Sequence, residues 1–205
     1  MLSFDPPGIG RTPGKFGREA TVAHALELLD RHSWDTFVLA ADGWQTGYAV
    51  GILEARPGAI RAVALGHAAL SNRMTGDRAP MNGAVYSAFR RLMEHDQDGF
   101  IKYGIAQLTQ EGFDEKLAAE MVERIPQGAT VEHVRVMGVQ YQLEPLLREL
   151  NVPLLFGQHR GCLLSTDEGF ADAVAAFPEA RSISVPEPCC VSPAFAEALH
   201  ALCLA

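Results

Sequence analysis

The sequence predicts an α/β fold: a three-layer sandwich on a mostly parallel sheet, with a helical lid inserted into it. Three observations predict it. Short apolar runs bounded by turn residues alternate with amphipathic stretches, the pattern of strand–helix–strand crossovers. Thr36-Phe-Val-Leu-Ala-Ala-Asp-Gly-Trp-Gln-Thr-Gly47 and the following Tyr48 to Pro57 read as a buried strand, a tight turn and a helix. The stretch from Ala69 to about Pro145 is helical in period and holds no clear apolar strand. Residues 1–68 and 146–205 are therefore expected to form the core, with 69–145 inserted in it.

In chain order, Met1–Phe4 reads as a strand remnant. Asp5-Pro-Pro-Gly-Ile-Gly-Arg-Thr-Pro13 is an ordered loop, since its prolines and glycines suit neither helix nor strand. Glu19 to Arg31 places Val22, Ala25, Leu26, Leu28 and Leu29 at helical spacing. Thr36–Ala41 is the first core strand, Thr46–Ala55 its helix, and Ile60–Ala68 the next strand after the Pro57-Gly58 turn. Helices are expected at Gly83–Glu94, Phe100–Leu108, Phe113–Arg124 and Val131–Leu150, with Thr130–Met137 ambiguous. Met81, Tyr86, Phe89, Met93, Phe100 and Tyr103 read as residues packing the lid on the sheet rather than as a cofactor site. Val152–Gly157 is a strand entered through Pro153, where a missing donor does least harm. Thr166–Phe177 is a helix with Ser165 or Thr166 as its cap and Asp167 and Glu168 in its first turn. Ala180–Val185 is the last strand, and Ser192-Pro193 opens a helix over Ala194–Leu204.

The chain of 205 residues is long enough for one substantial core. A net charge of −8 without any Lys/Arg cluster argues against a nucleic-acid surface. No apolar run approaches the ~18 residues of a membrane span, and Met-Leu-Ser-Phe-Asp-Pro-Pro lacks the basic and apolar regions of a signal peptide. A cytoplasmic protein is expected. The four cysteines (162, 189, 190, 203) form no CxxC pair and read as free thiols.

Four segments resemble motifs of the lidded α/β-hydrolases, the epoxide hydrolase, haloalkane dehalogenase and esterase relatives. Asp5-Pro-Pro-Gly-Ile-Gly-Arg-Thr is similar to their Asp-x-x-Gly-x-Gly-x-Ser loop after strand four. Gly43-Trp-Gln-Thr-Gly47 resembles the nucleophile elbow after strand five, in which two glycines flank the nucleophile and let strand and helix approach. Gly157-Gln-His-Arg-Gly-Cys162 resembles the acid loop after strand seven, and Val185-Pro-Glu-Pro-Cys-Cys190 the histidine loop. The resemblance covers nearly the whole chain and implies a hydrolase fold. It also implies that the nucleophile position is Gln45, the acid position Arg160 and the histidine position Cys190, or Cys189 in a shifted register. None of these residues can perform the corresponding step.

The sequence therefore supports a hydrolase-like protein without the usual triad, binding a small apolar or acyl molecule or a partner. The ligand floor is expected from Trp44, Gln45, His67, Arg160, Cys189 and Cys190, beneath Met81–Tyr103. The alternative is an esterase-like enzyme with a displaced nucleophile such as Cys190, its thiol made reactive by the Arg160 guanidinium. His159 and Cys162 supply a conceivable Cys–His pair nearby. Thr46 reads as the helix start, Asp42 as a turn residue, and His67 as a hydrogen-bonded structural histidine able to line the pocket. His159, Cys162, Cys189 and Cys190 are suitable ligand types without a recognised metal spacing, so neither a metal nor a cofactor is expected. In the resembled fold strand three separates four from five. Without it, Thr36–Ala41 becomes an open, uncharged apolar edge, and a homodimer through that edge is expected.

Overall fold

A computed structural model describes residues 1–73, 79–110, 112–123, 141–160, 162 and 165–204, except for the side chains of Trp44, Phe89 and Met121. The described elements are α1 (Arg18–Arg31), β1 (Phe37–Asp42), α2 (Thr46–Ala55), β2 (Ile60–Gly66), α3 (Gly83–His95), α4 (Gln97–Gln110), α5 (Glu115–Glu123), α6 (Glu144–Leu150), β3 (Leu154–His159), α7 (Asp167–Ala176), β4 (Arg181–Val185) and α8 (Pro193–Leu204). Short 3₁₀ turns occupy Gly43–Gln45, Pro57–Ala59 and Cys189–Val191.

The four strands form one parallel sheet in the order β1-β2-β3-β4. β2 and β3 are its middle strands and read as nearly unbroken apolar runs because both their faces are covered. Alternate side chains divide the core in two. Ile60, Val63, Leu65, Leu154 and Phe156 face α1, α2, α6 and α7, where they meet Ala25, Leu29, Val50, Leu53, Leu147 and Ala173. Ala64, Leu155 and Val185 face the other way, onto Phe195 and Ala198 of α8. This is the period-two alternation of a strand, converted into two helix-covered faces. Each large side chain fully buried in this way stabilises the fold by about 1.5–3 kcal/mol.

The helices start where the local chemistry allows. The Thr166 hydroxyl accepts the Gly169 N–H at 3.1 Å and caps α7, as its place in the sequence predicts. The Asn82 side chain caps α3 from Val85 N–H at 3.3 Å. Gly51 lets α2 press against Val22 of α1, where a Cβ would collide with the valine.

Several expectations change. Met1–Phe4 is not a strand; Leu2 leans on the core and Phe4 meets the His24 ring edge-on, at 5.5 Å between centroids. The run is four residues long and ends at Pro6-Pro7, which offer no ladder donors. β1 is therefore the edge strand of the described sheet. β3 runs two residues past the expected Gly157, which carries His159 to its end. Met93, Phe100 and Val122 make their own small cluster among α3, α4 and α5 instead of packing on the sheet. Gln142 pairs with Ser71 in an isolated bridge and the helix begins only at Glu144, so 141–143 are not helical. Leu143 and Leu147 belong to the main core. The ambiguous stretch Thr130–Met137 lies outside the described residues.

Candidate functional site

In a parallel sheet every strand ends on the same side, and there the loops of an open α/β fold gather their chemistry. Asp42 closes β1, and Gly66, its register partner, closes β2. His67 comes next. His159 closes β3, paired with Val185 of β4, and Cys162 follows three residues later. The Cys189–Val191 turn sits beyond β4. A polar or thiol residue thus stands at the end of each strand, and the sheet brings them together.

The shortest contact is between His67 Nδ1 and Asp42 Oδ1, at 2.6 Å. The other oxygen of Asp42 accepts the backbone N–H of Cys190 at 3.0 Å. His67 Nε2 faces His159 Nδ1 at 3.4 Å, the two rings standing nearly perpendicular with centroids 5.6 Å apart. One donor atom each of His67, His159 and Cys162 lies within 4.8 Å of the other two. The Cys162 sulfur accepts the Ser165 N–H at 3.4 Å.

Two backbone features make the cluster possible. His67 has φ +52°, a left-handed conformation uncommon for a side chain of its size. Residues held there cluster at functional sites, where the surroundings must hold the strain. Gly66 carries no side chain; a Cβ there would strike Asp42 and Cys189. Met81 bridges to Ser165, and Thr166 N–H donates to Pro80 O at 3.0 Å, tying the start of α3 to the segment after Cys162.

Charge follows geometry. Burial works against the His67 cation, but the hydrogen bonds to Asp42 and Cys162 overcome it and raise the pKa to about 10. For Asp42, burial opposes ionisation, and the His67 hydrogen bond and charge outweigh it, so the carboxyl lies below its ordinary value. For Cys162, burial pushes the thiol up, yet His67 and the Ser165 N–H bring it below the ordinary cysteine value. Burial, reinforced by the His67 charge, keeps His159 neutral. The cluster can hold a thiolate–imidazolium pair with a carboxylate behind it.

The residues expected from the resemblance are placed differently. Gln45 is exposed and has right-handed helical backbone (φ −65°) just before α2. The left-handed residue at the strand–helix junction is Gly43, at φ +52°, with open space where a Cβ would stand. β1 runs on through Asp42, one residue past its expected end, and the turn follows at Gly43–Gln45. Arg160 is exposed in the turn after β3. Cys190 is an exposed residue whose sulfur has lost water and faces the Asp42 charge, which together push its thiol up to about 12, the opposite direction from the one Arg160 was expected to impose. Cys189 is buried between the sheet and α8, and burial pushes it up to about 12 as well. Among the described residues no hydrogen bond or ion pair joins Gln45, Arg160 and Cys190. The Trp44 side chain lies outside the described residues. His67 stands between Asp42 and His159.

Asp42 was legible only as a turn residue, and Cys162 only as a neighbour of His159. The available signal was positional: Asp-Gly, Gly-His and His-x-x-Cys each follow an apolar strand at the same end of the sheet. A cavity of about 340 Å³ lies at the opposite end, lined by Thr36, Phe37, Arg61, Pro153, Leu202 and Cys203 among others, with no histidine or carboxylate in its lining. No described helix is long and apolar enough to cross a membrane.

No family model matches the chain, and no curated protein matches it at significance. Solved structures do. A hydrolase from Oleispira antarctica superposes with a TM-score of 0.77 at 14% identity, over 97% of this chain and 79% of that one. An esterase from a Rhodococcus species gives 0.72 at 18% identity, over 97% and 78%. A bromoperoxidase from Bacillus anthracis gives 0.73 at 12% identity, over 88% and 71%. At such identities the likeness concerns architecture, and it agrees with the parallel sheet and the helices on both its faces: this chain has the α/β-hydrolase fold.

Proposed function

We propose that this protein is a thiol-dependent acyl hydrolase in which Cys162, His67 and Asp42 replace the usual triad. The observation that carries the reading is the grouping of Asp42, His67 and Cys162 at the ends of three adjacent strands, the first two 2.6 Å apart and the last two with donor atoms within 4.8 Å. The neighbours named for esterase and hydrolase activity supply the substrate class, a small ester.

In this reaction the Cys162 sulfur attacks the ester carbonyl. A C–S bond forms, the C–O bond breaks, and the departing alkoxide takes a proton from His67. Water then adds to the thioester as His67 accepts its proton. The acid leaves and Cys162 is restored. Asp42 holds the imidazole by Nδ1 and stabilises its cation, the part that the third residue plays in such sets. Gly43, the left-handed residue at the strand–helix turn, contributes no side chain.

The reading of the chain as a binding protein without turnover draws support from that same glycine and from the absence of a carboxylate at Arg160. A screen with p-nitrophenyl esters of short acids separates the two. Turnover that disappears in Cys162→Ala and survives in Cys190→Ala supports the enzyme. No turnover above the buffer rate, with measurable ester binding, supports the binding protein and ends the enzymatic reading.

A further inference from the structure

The facing nitrogens of His67 and His159 raise a separate question. Their nitrogens stand opposed at 3.4 Å, and the sulfur of a third soft donor, Cys162, lies within 4.8 Å of a donor atom on each. We propose that His67, His159 and Cys162 form a binding site for a divalent cation of the zinc class, with a fourth position open.

The donor set fits. Two imidazoles and a thiolate suit zinc and cobalt far better than magnesium or calcium, which prefer oxygen. With metal–nitrogen bonds of about 2.05 Å in a tetrahedron, two ligating nitrogens stand about 3.3 Å apart, and nitrogen and sulfur about 3.6 Å. The observed 3.4 Å between the histidines agrees with the first, and the 4.8 Å bound on the three donors leaves only a small closure for the second. His159 and Cys162 are two residues apart by intervening chain, and His67 comes from the adjacent strand end.

The outer contacts fit as well. Asp42 engages Nδ1 of His67 and leaves Nε2 directed at the other donors, the carboxylate–histidine arrangement that orients metal ligands. His159 is 2% exposed and fixed at the end of a central strand, so its ring is held in place before any ion arrives. A second set, Asp42, His67 and Cys189, is also close in space. It would require the metal to displace the 2.6 Å hydrogen bond between its first two members, whereas the first set gives up only the longer 3.4 Å contact between the two histidines.

The site does not depend on ester hydrolysis. The two uses compete, since a metal-bound Cys162 sulfur cannot attack a carbonyl. The experiment is a cobalt(II) titration of reduced, chelator-treated protein, followed by absorption. One equivalent should produce the near-ultraviolet thiolate-to-cobalt band together with intense ligand-field bands of four-coordinate metal, and zinc(II) should remove both. Cys162→Ser should lose the thiolate band, His159→Ala should weaken binding by at least about 10-fold, and Cys189→Ser should change neither. Bound zinc should also slow alkylation of Cys162 by iodoacetamide at least tenfold, whether or not any ester is turned over. Circular dichroism of each variant checks that it remains folded. The proposal is overturned if wild-type protein gives no thiolate band, or if the band survives Cys162→Ser and is lost in Cys189→Ser.

Discussion

Asp42 Oδ1 and His67 Nδ1 lie 2.6 Å apart, although 25 residues separate them along the chain. The register of β1 on β2 makes the contact, because Asp42 pairs with Gly66 and His67 is the next residue. Replacing Asp42 by Asn keeps the shape and removes the charge. Any ester turnover should fall by a factor on the order of 10²–10⁴, the range associated with losing the residue that orients a catalytic histidine. Steady-state rates measured beside Cys162→Ala decide it: an Asp42→Asn enzyme as fast as the parent leaves Asp42 without that part.

Gly43 turns the chain from β1 into α2 with φ +52°. Its surroundings are open, so Gly43→Ala meets no steric obstacle and reports backbone strain alone. The substitution should lower stability by about 1–2 kcal/mol, the difference between glycine and other residues in the left-handed region. Urea denaturation with an unchanged slope would give that number directly.

Phe156 is fully buried in β3 and meets Phe177 edge-on, with centroids 5.9 Å apart. Phe156→Ala removes the ring from the centre of the larger core cluster and should destabilise the protein by about 3–5 kcal/mol. A loss below about 1 kcal/mol in chemical denaturation would show that the core refills the space.

Burial raises the phenols of Tyr48 and Tyr141 above the ordinary tyrosine value, and the Tyr48 hydroxyl has no hydrogen-bond partner among the described residues. Raised folded-state values mean that the unfolded chain releases these protons first. Their contribution to stability is therefore intact below the unfolded value near 10 and is lost as pH climbs above it. An ultraviolet titration should show Tyr48 and Tyr141 ionising late, together with unfolding. Four equivalent phenols titrating around pH 10 would contradict this.

The α/β architecture was legible because strands and helices carry their own periods. Thr46–Ala55 is a helix at the expected bounds, and Arg181–Val185 begins one residue after the expected start. The site was only half legible. Cys162, His67 and His159 all stood among the candidates, but the resemblance points to Gln45, Arg160 and Cys190, whose places follow from aligned motifs rather than from where strands end. Two extra residues in β3 and one in β1 moved the geometry.

What the sequence determined by itself was local: apolar runs that must be buried, a helix start marked by Thr166, and glycines where the chain turns. Only the tertiary structure decided which side chains meet. Asp42, His67, His159 and Cys162 come from three separate strands, and their distances depend on strand pairing and on a left-handed histidine. Neither is written in any single stretch of chain, because register is set by the packing of both faces of the sheet at once.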